Sequence, residues 1–168
     1  EVRAKILAED DPDRINAERL LAAGYDLSDQ HEDAIKLYEH VIVTTHTWPE
    51  DNGLRLQSNR DLAVTYLNVG RIKEAVELLE KIVAIERILP DDHPSRLVSQ
   101  YELARAYRKS DRTQDAVNLL EHVVATRKKL AKDHPELLIS QHTLATIYRD
   151  NGQVEEAIEL LEHVVLVW

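Results

Sequence analysis

Eight histidines and a cluster of guanidinium groups are the side chains of this 168-residue sequence best suited to chemistry. His40, His122 and His163 stand at one recurring position, where Lys81 takes the fourth copy, and His93 and His134 share another. A zinc site needs several ligands converging on one ion. Histidines 41 residues apart fall in different layers of a repeating chain, and no HExxH pair or Cys/His cluster accompanies them. No metal is expected. His93 and His134 each precede a proline, a placement that suits a helix cap. Among only four glycines there is no GxxxxGK[ST] phosphate loop and no GxSxG nucleophile elbow. Ser140 and His142 point to different faces and lack an orienting acid, and Glu155-Glu156 reads as a solvated helix start favoured by the helix dipole. The chain is therefore expected to be no enzyme and to hold no cofactor. What remains is Arg105, Arg108 and Lys109, close together and suited to charge-assisted bonds with carboxylates.

The elements that position these groups are legible from a period. Tyr25, Tyr66, Tyr107 and Tyr148 are spaced by 41 residues, as are Ala34, Ala75, Ala116 and Ala157, and Glu39, Glu80, Glu121 and Glu162. Leu21, Leu62, Leu103 and Leu144 keep the same spacing, each followed by alanine. Such a period marks an array whose units stack because none buries its own apolar face alone. Within one unit, Leu62, Ala63 and Tyr66 share a helical face, and Gly70 supplies a left-handed stop. Ile72, Ala75, Val76, Leu79, Ile82, Val83 and Leu89 then follow the spacing of a second amphipathic helix. Small Ala63 and Ala75 let the two helices approach closely. Asp29 and Asp111 stand where Gly70 and Gly152 stand in the other copies. Asp29 must take the left-handed conformation itself, or its turn must change. Asp11 is placed to cap the first helix and Pro12 to open it. Trp48, in the position of Leu89 and Leu130, is expected to staple the core.

This pattern resembles the tetratricopeptide repeat, through the Leu-Ala pair and Tyr of helix A, the turn glycines Gly70 and Gly152, and Ala75 with Leu79 and Ala157 with Leu161 of helix B. The ordinary repeat is about 34 residues. The 41-residue period, longer helix B and Asp-His-Pro joints (His93-Pro94, His134-Pro135) are similar to the kinesin-light-chain type. The recurring Leu-Leu-Glu-His-Val-Val (Leu119–Val124, Leu160–Val165) resembles arrays behind the nucleotide-binding module of fungal NLR-like (STAND) proteins. The resemblance implies an all-α, right-handed superhelical solenoid of about four helix pairs, with each helix A on the concave surface. On that implication the groove holds Arg19, Arg60, Asn68, Tyr101, Arg105, Arg108, Lys109, His142 and Arg149, together with Asp26, Leu67 and Asp150. Basic groups outnumber acids there, while helix B carries Glu74, Glu77, Glu80, Glu155, Glu156, Glu159 and Glu162. The expected partner is a protein or peptide segment, acidic or carboxylate-bearing, with Asn68 addressing its backbone amides.

The expected organisation is one array over residues 1–168. Residues 1–12 read as the tail of a preceding helix B, followed by repeats at 13–53, 54–94, 95–135 and 136–168, the last truncated. Both ends cut through a repeat, which reads as a piece of a longer protein. A net charge of −10 argues against nucleic-acid or membrane-surface binding, no run of about 18 apolar residues is present, and the absence of cysteine fits a cytoplasmic setting. Three contexts suit such a module. It is the sensor region of an NLR-like protein, a kinesin-light-chain-like cargo adaptor, or a scaffold that self-associates through its exposed terminal helices.

Overall fold

A computed structural model describes residues 8–130 and 135–167. Eight α-helices follow one another: α1 (Pro12–Leu27), α2 (His31–Thr44), α3 (Gly53–Asn68), α4 (Ile72–Ile85), α5 (Pro94–Lys109), α6 (Thr113–Leu130), α7 (Pro135–Asp150) and α8 (Val154–Val167). A 3-10 turn, Glu86–Ile88, extends α4. The described residues contain no strand and no helix long and apolar enough to cross a membrane. The expected preceding helix B at residues 1–7, His134 and Trp168 lie outside the described residues.

All four hairpin turns are built alike. Asp29, Gly70, Asp111 and Gly152 have φ of 60°, 81°, 59° and 79°. Both aspartates thus adopt the left-handed conformation that glycine takes at almost no steric cost. One residue later the N–H of Gln30, Arg71, Arg112 or Gln153 donates to the carbonyl of Tyr25, Tyr66, Tyr107 or Tyr148. This six-to-one bond closes the helix end and satisfies a carbonyl with no intrahelical partner. The same four residues then accept the first bond of the next helix from Ala34, Ala75, Ala116 and Ala157. Helix starts follow their capping residues. Asp11 accepts from the Asp13 N–H with Pro12 behind it, Asn52 accepts from Arg55, and His93 sits at the cap of α5 without a side-chain bond.

The chain divides into two compact units, residues 1–78 and 79–168, with the boundary inside α4. In the first, α1 packs on α2 and α2 on α3; in the second, α5 packs on α6, α6 on α7 and α7 on α8. Every hairpin buries one alanine from each helix: Ala22 and Ala34, Ala63 and Ala75, Ala104 and Ala116, Ala145 and Ala157. In the second unit Leu97, Leu120, Val123, Leu137, Leu144 and Ile147 complete a continuous apolar core. Trp48 is half-buried, and its carbonyl accepts from Arg55 Nη1 at 2.6 Å, as the Leu89 carbonyl accepts from Arg96 at 2.8 Å. Two residues depart from expectation. Leu21, in the packing position of Leu62, Leu103 and Leu144, is 52% exposed. Leu67, assigned to the groove, is 1% exposed, since an apolar side chain in a position that Asp26 and Arg108 occupy elsewhere turns into the core.

The turns set a test. A Cβ at Gly70 or Gly152 meets no atom within 4 Å, so only backbone conformation resists a side chain there. Gly70→Ala and Gly152→Ala should each lower stability by about 1 kcal/mol, and Asp29→Gly or Asp111→Gly should raise it by a smaller amount, measured by urea unfolding. Ala75→Leu should cost about 1–3 kcal/mol by overpacking.

Candidate functional site

Tyrosine links α3, α5 and α7 each to the helix before it. The hydroxyls of Tyr66, Tyr107 and Tyr148 donate to Oε1 of Glu39, Glu80 and Glu121 at 3.0, 2.8 and 2.5 Å, always 27 residues back. The turn residue then covers the ring: the Arg71 guanidinium carbon lies 4.1 Å from the Tyr66 ring centre, and that of Arg112 3.9 Å from Tyr107. Arg112 also pairs with Glu80 at 2.8 Å and Asp115 at 2.7 Å. The Arg112 bond and then the Tyr107 bond hold the Glu80 carboxyl below its ordinary range. Burial, then the bond to Glu80, pushes the Tyr107 phenol up to about 12. Burial raises Tyr66 and Tyr148 in the same way.

The A helices of each unit are joined by two rungs at an offset of 42 residues. In the first unit Arg19 Nη1 donates to Asp61 Oδ2 at 2.8 Å, and Asn68 Nδ2 to Asp26 Oδ2 at 3.2 Å. Burial lifts the Asp61 carboxyl more than Arg19 lowers it. In the second unit the same positions hold Tyr101 and Thr143, whose hydroxyls lie 3.1 Å apart, and Arg108, which grips Asp150 Oδ2 through Nε at 2.8 Å and Nη2 at 2.6 Å. Arg108 holds the Asp150 carboxyl below its ordinary range, with Arg149 adding a contact at 3.1 Å. Arg105 pairs with Glu102 at 2.6 Å.

The expected site residues are thus distributed over both units. Arg19, Arg60 and Asn68 belong to the first, with Arg19 and Asn68 engaged by Asp61 and Asp26. In the second, Arg105, Arg108, Lys109 and His142 meet Thr143 and Thr146 around one depression of about 280 Å³ on α5 and α7. Tyr101 is half-buried and Arg149 exposed, and neither lines it. The predicted excess of positive charge is offset by Asp61 and Glu102, two acids on the same helices that the sequence reading passed over. Among the described residues no group of three or more His, Cys, Asp or Glu side chains is arranged to hold a metal ion.

Arg127 was not foreseen. It lies near the end of α6, only 6% exposed. Its Nη1 donates to Ser140 Oγ at 2.5 Å and to the Glu136 carbonyl at 3.0 Å, while Nη2 pairs with the Glu136 carboxylate at 3.1 Å. Burial lowers its pKa. The signal was available: Thr45 and Glu86, at the same position in earlier repeats, are polar and equally buried.

Sequence models of the tetratricopeptide repeat match residues 54–129 and 137–168. Two crystal structures of the nearly identical TPR-like repeats of a candidate kinesin light chain from Podosopora anserina are 44% identical to this chain. They match 99% of it and 80% of their own chains, with TM-scores of 0.84 and 0.80. BtubC (BKLC) from P. vanneervenii shares the fold at 18% identity and a TM-score of 0.80, over 94% of this chain and 65% of its own. So does a Rap protein complexed with competence and sporulation factor, at 14% identity and 0.77, over 94% of this chain and 44% of its own. No curated protein matches the sequence.

The tyrosine bonds predict a pH response. A carboxylate held low, as Glu80 is, stabilises the fold above its unfolded pKa of about 4.3, and the gain fades as pH falls through the lower folded value. A phenol held high, as Tyr107 is, stabilises below about 10, and the gain is lost as pH rises toward the folded value. Tyr107→Phe should cost about 1 kcal/mol at neutral pH and flatten the melting-temperature profile at both the acid and alkaline ends.

Proposed function

This chain belongs to the tetratricopeptide repeat family, and we propose that it is a non-catalytic module capturing a peptide segment on the face of α5 and α7. The depression lined by Arg105, Arg108, Lys109, His142, Thr143 and Thr146 carries this reading, because it gathers cationic and hydroxyl groups on neighbouring helices of one unit. Arg105 spends Nη1 on Glu102, and Arg108 spends Nε and Nη2 on Asp150. A guanidinium has five N–H donors, so each keeps donors for a second carboxylate. An acidic or carboxylate-bearing segment of a cytoplasmic protein is the fitting partner. The Rap protein of this fold, complexed with competence and sporulation factor, is in keeping with a second molecule held by such hairpins. In this reading the repeats form one array, with Arg19, Arg60, Asn68, Tyr101 and Arg149 on further contact surfaces.

Two contexts suit such a module. The Leu-Leu-Glu-His-Val-Val recurrence supports the sensor region of an NLR-like protein, where capture would release or order an NTPase. The 44% identity to repeats of a candidate kinesin light chain supports a cargo adaptor. A GxxxxGK[ST] loop after a strand in the same reading frame decides for the sensor, and long a/d heptads decide for the adaptor.

Selection from a displayed library of short peptides tests the capture face. Sequences rich in Asp and Glu should be enriched. Charge reversal would set new glutamates against Glu102 and Asp150, so the neutral pair Arg105→Gln with Arg108→Gln is the cleaner variant. It should weaken capture at least about tenfold while far-UV circular dichroism is unchanged. Enrichment without acidic bias, or capture indifferent to the pair, overturns the assignment.

A further inference from the structure

The depression on α5 and α7 holds more positive charge than one carboxylate can use. Its volume of about 280 Å³ lies just below the range of about 300–1,000 Å³ that encloses a whole small ligand, so it takes the head of one side chain. Three cations meet that head. Arg105, Arg108 and Lys109 stand at i, i+3 and i+4 on α5, neighbours on one helical face. Both guanidiniums are held from one side. Arg105 gives Nη1 to Glu102 at 2.6 Å, which leaves its Nε and Nη2 donors. Arg108 gives Nε and Nη2 to Asp150 Oδ2 at 2.8 and 2.6 Å, which leaves Nη1. The charge balance along the face is uneven. In the second halves of α5 and α7, Arg105, Arg108, Lys109 and Arg149 stand against only Glu102 and Asp150. Asp150 is itself shared, Oδ2 with Arg108 at 2.6 Å and Oδ1 with Arg149 at 3.1 Å.

We propose that the acidic group captured here is a phosphoryl group on a side chain of the bound segment. The proposal rests on the reading of the α5–α7 face as the capture face. A carboxylate offers two oxygens in one plane and a single charge. A phosphoryl group offers three acceptor oxygens in different directions and a charge of about −1.5 to −2 at neutral pH. It can take one bond from each of Arg105, Arg108 and Lys109, and it matches the excess of cations over acids along the face. The α7 side supplies a different contact. Thr143 and Thr146 donate their hydroxyl hydrogens to the carbonyls of Ile139 and His142, each at 2.9 Å. Their oxygens line the depression as acceptors. Acceptors beside a cluster of cations suit the main-chain N–H groups of a polypeptide and repel the oxygens of a free anion. The phosphoryl group therefore arrives on a peptide, its head against α5 and its main chain against α7.

An array of synthetic peptides with varied flanks tests this on the intact chain. Each sequence is made in three versions, with phosphothreonine, glutamate or threonine at the centre, and the strongest binders are measured again by fluorescence anisotropy. The phosphothreonine version should bind at least about tenfold more tightly than the glutamate version, and the threonine version weakest. Lys109→Gln should bring phosphothreonine down to about the glutamate level, with helicity unchanged by circular dichroism. Inorganic phosphate should displace the peptide only at roughly a hundredfold higher concentration, because it lacks the main-chain contacts. Equal binding of the phosphothreonine and glutamate versions, both weakened by Arg105→Gln with Arg108→Gln, overturns the phosphoryl inference and leaves the capture face standing. Binding no better than the threonine version overturns both. A phosphothreonine preference indifferent to the arginine pair puts the site elsewhere and overturns the inference as well. Displacement by an equal concentration of inorganic phosphate makes the free anion the ligand, with the same result.

Discussion

Each hairpin depends on how closely two helices approach, and that distance is set by paired small residues. Ala22 with Ala34, Ala63 with Ala75, Ala104 with Ala116, and Ala145 with Ala157 are all buried to 4% exposure or less. Any larger side chain there would force the helices apart or off their rotamers. With the approach fixed, the turn has little freedom. It closes with one left-handed residue and a bond back to the tyrosine carbonyl. The tyrosine then serves the fold twice, through its main chain at the turn and through its hydroxyl on the preceding helix. This explains why tyrosine and glutamate recur together in the sequence.

The surface on which a ligand would rest is shaped by the same economy of contacts. Arg19, Asn68, Arg105 and Arg108 all have partners on helices of their own unit. Such pairs, partly exposed, contribute little stability each. Their larger effect is geometric, since a guanidinium held by one carboxylate is oriented before another arrives, and less ordering entropy remains to be lost on binding. The loss of Asn68 and Arg19 to Asp26 and Asp61 leaves the first unit with fewer uncommitted donors than a count of basic residues implies.

Most of the secondary structure was legible because it repeats. A fixed spacing exposes helix faces, stops and capping residues without knowledge of tertiary contacts, and it leaves Asp29 two outcomes, of which the left-handed conformation is the one adopted. The rungs between A helices were not legible. They join unlike residues 42 positions apart, one more than the period, so no alignment of columns displays them. Leu67 was misplaced for a related reason: a helical wheel ranks faces by direction, whereas burial depends on what packs against that direction. Leu21 shows the converse, an apolar residue in a core column that is 52% exposed. Arg127 was masked by its neighbours, since it opens the basic run Arg127-Lys128-Lys129 and reads as one more solvated cation, while its partner Glu136 sits on the next helix and outside any local pattern.

The buried position shared by Thr45, Glu86 and Arg127 has a consequence for a chain of near-copies. Similar repeats invite misassembly, because any helix A offers nearly the same apolar face to any helix B. Arg127 breaks that equivalence. It is buried and pairs through Nη2 with the carboxylate of Glu136, where α3 offers Leu54 and α5 offers Ser95. Seating α6 against either would keep the serine and main-chain acceptors of Arg127 but lose its carboxylate contact, a modest difference because the Glu136 carboxylate is half exposed. In three successive repeats one residue hidden from solvent, different each time, thus marks otherwise interchangeable parts as distinct.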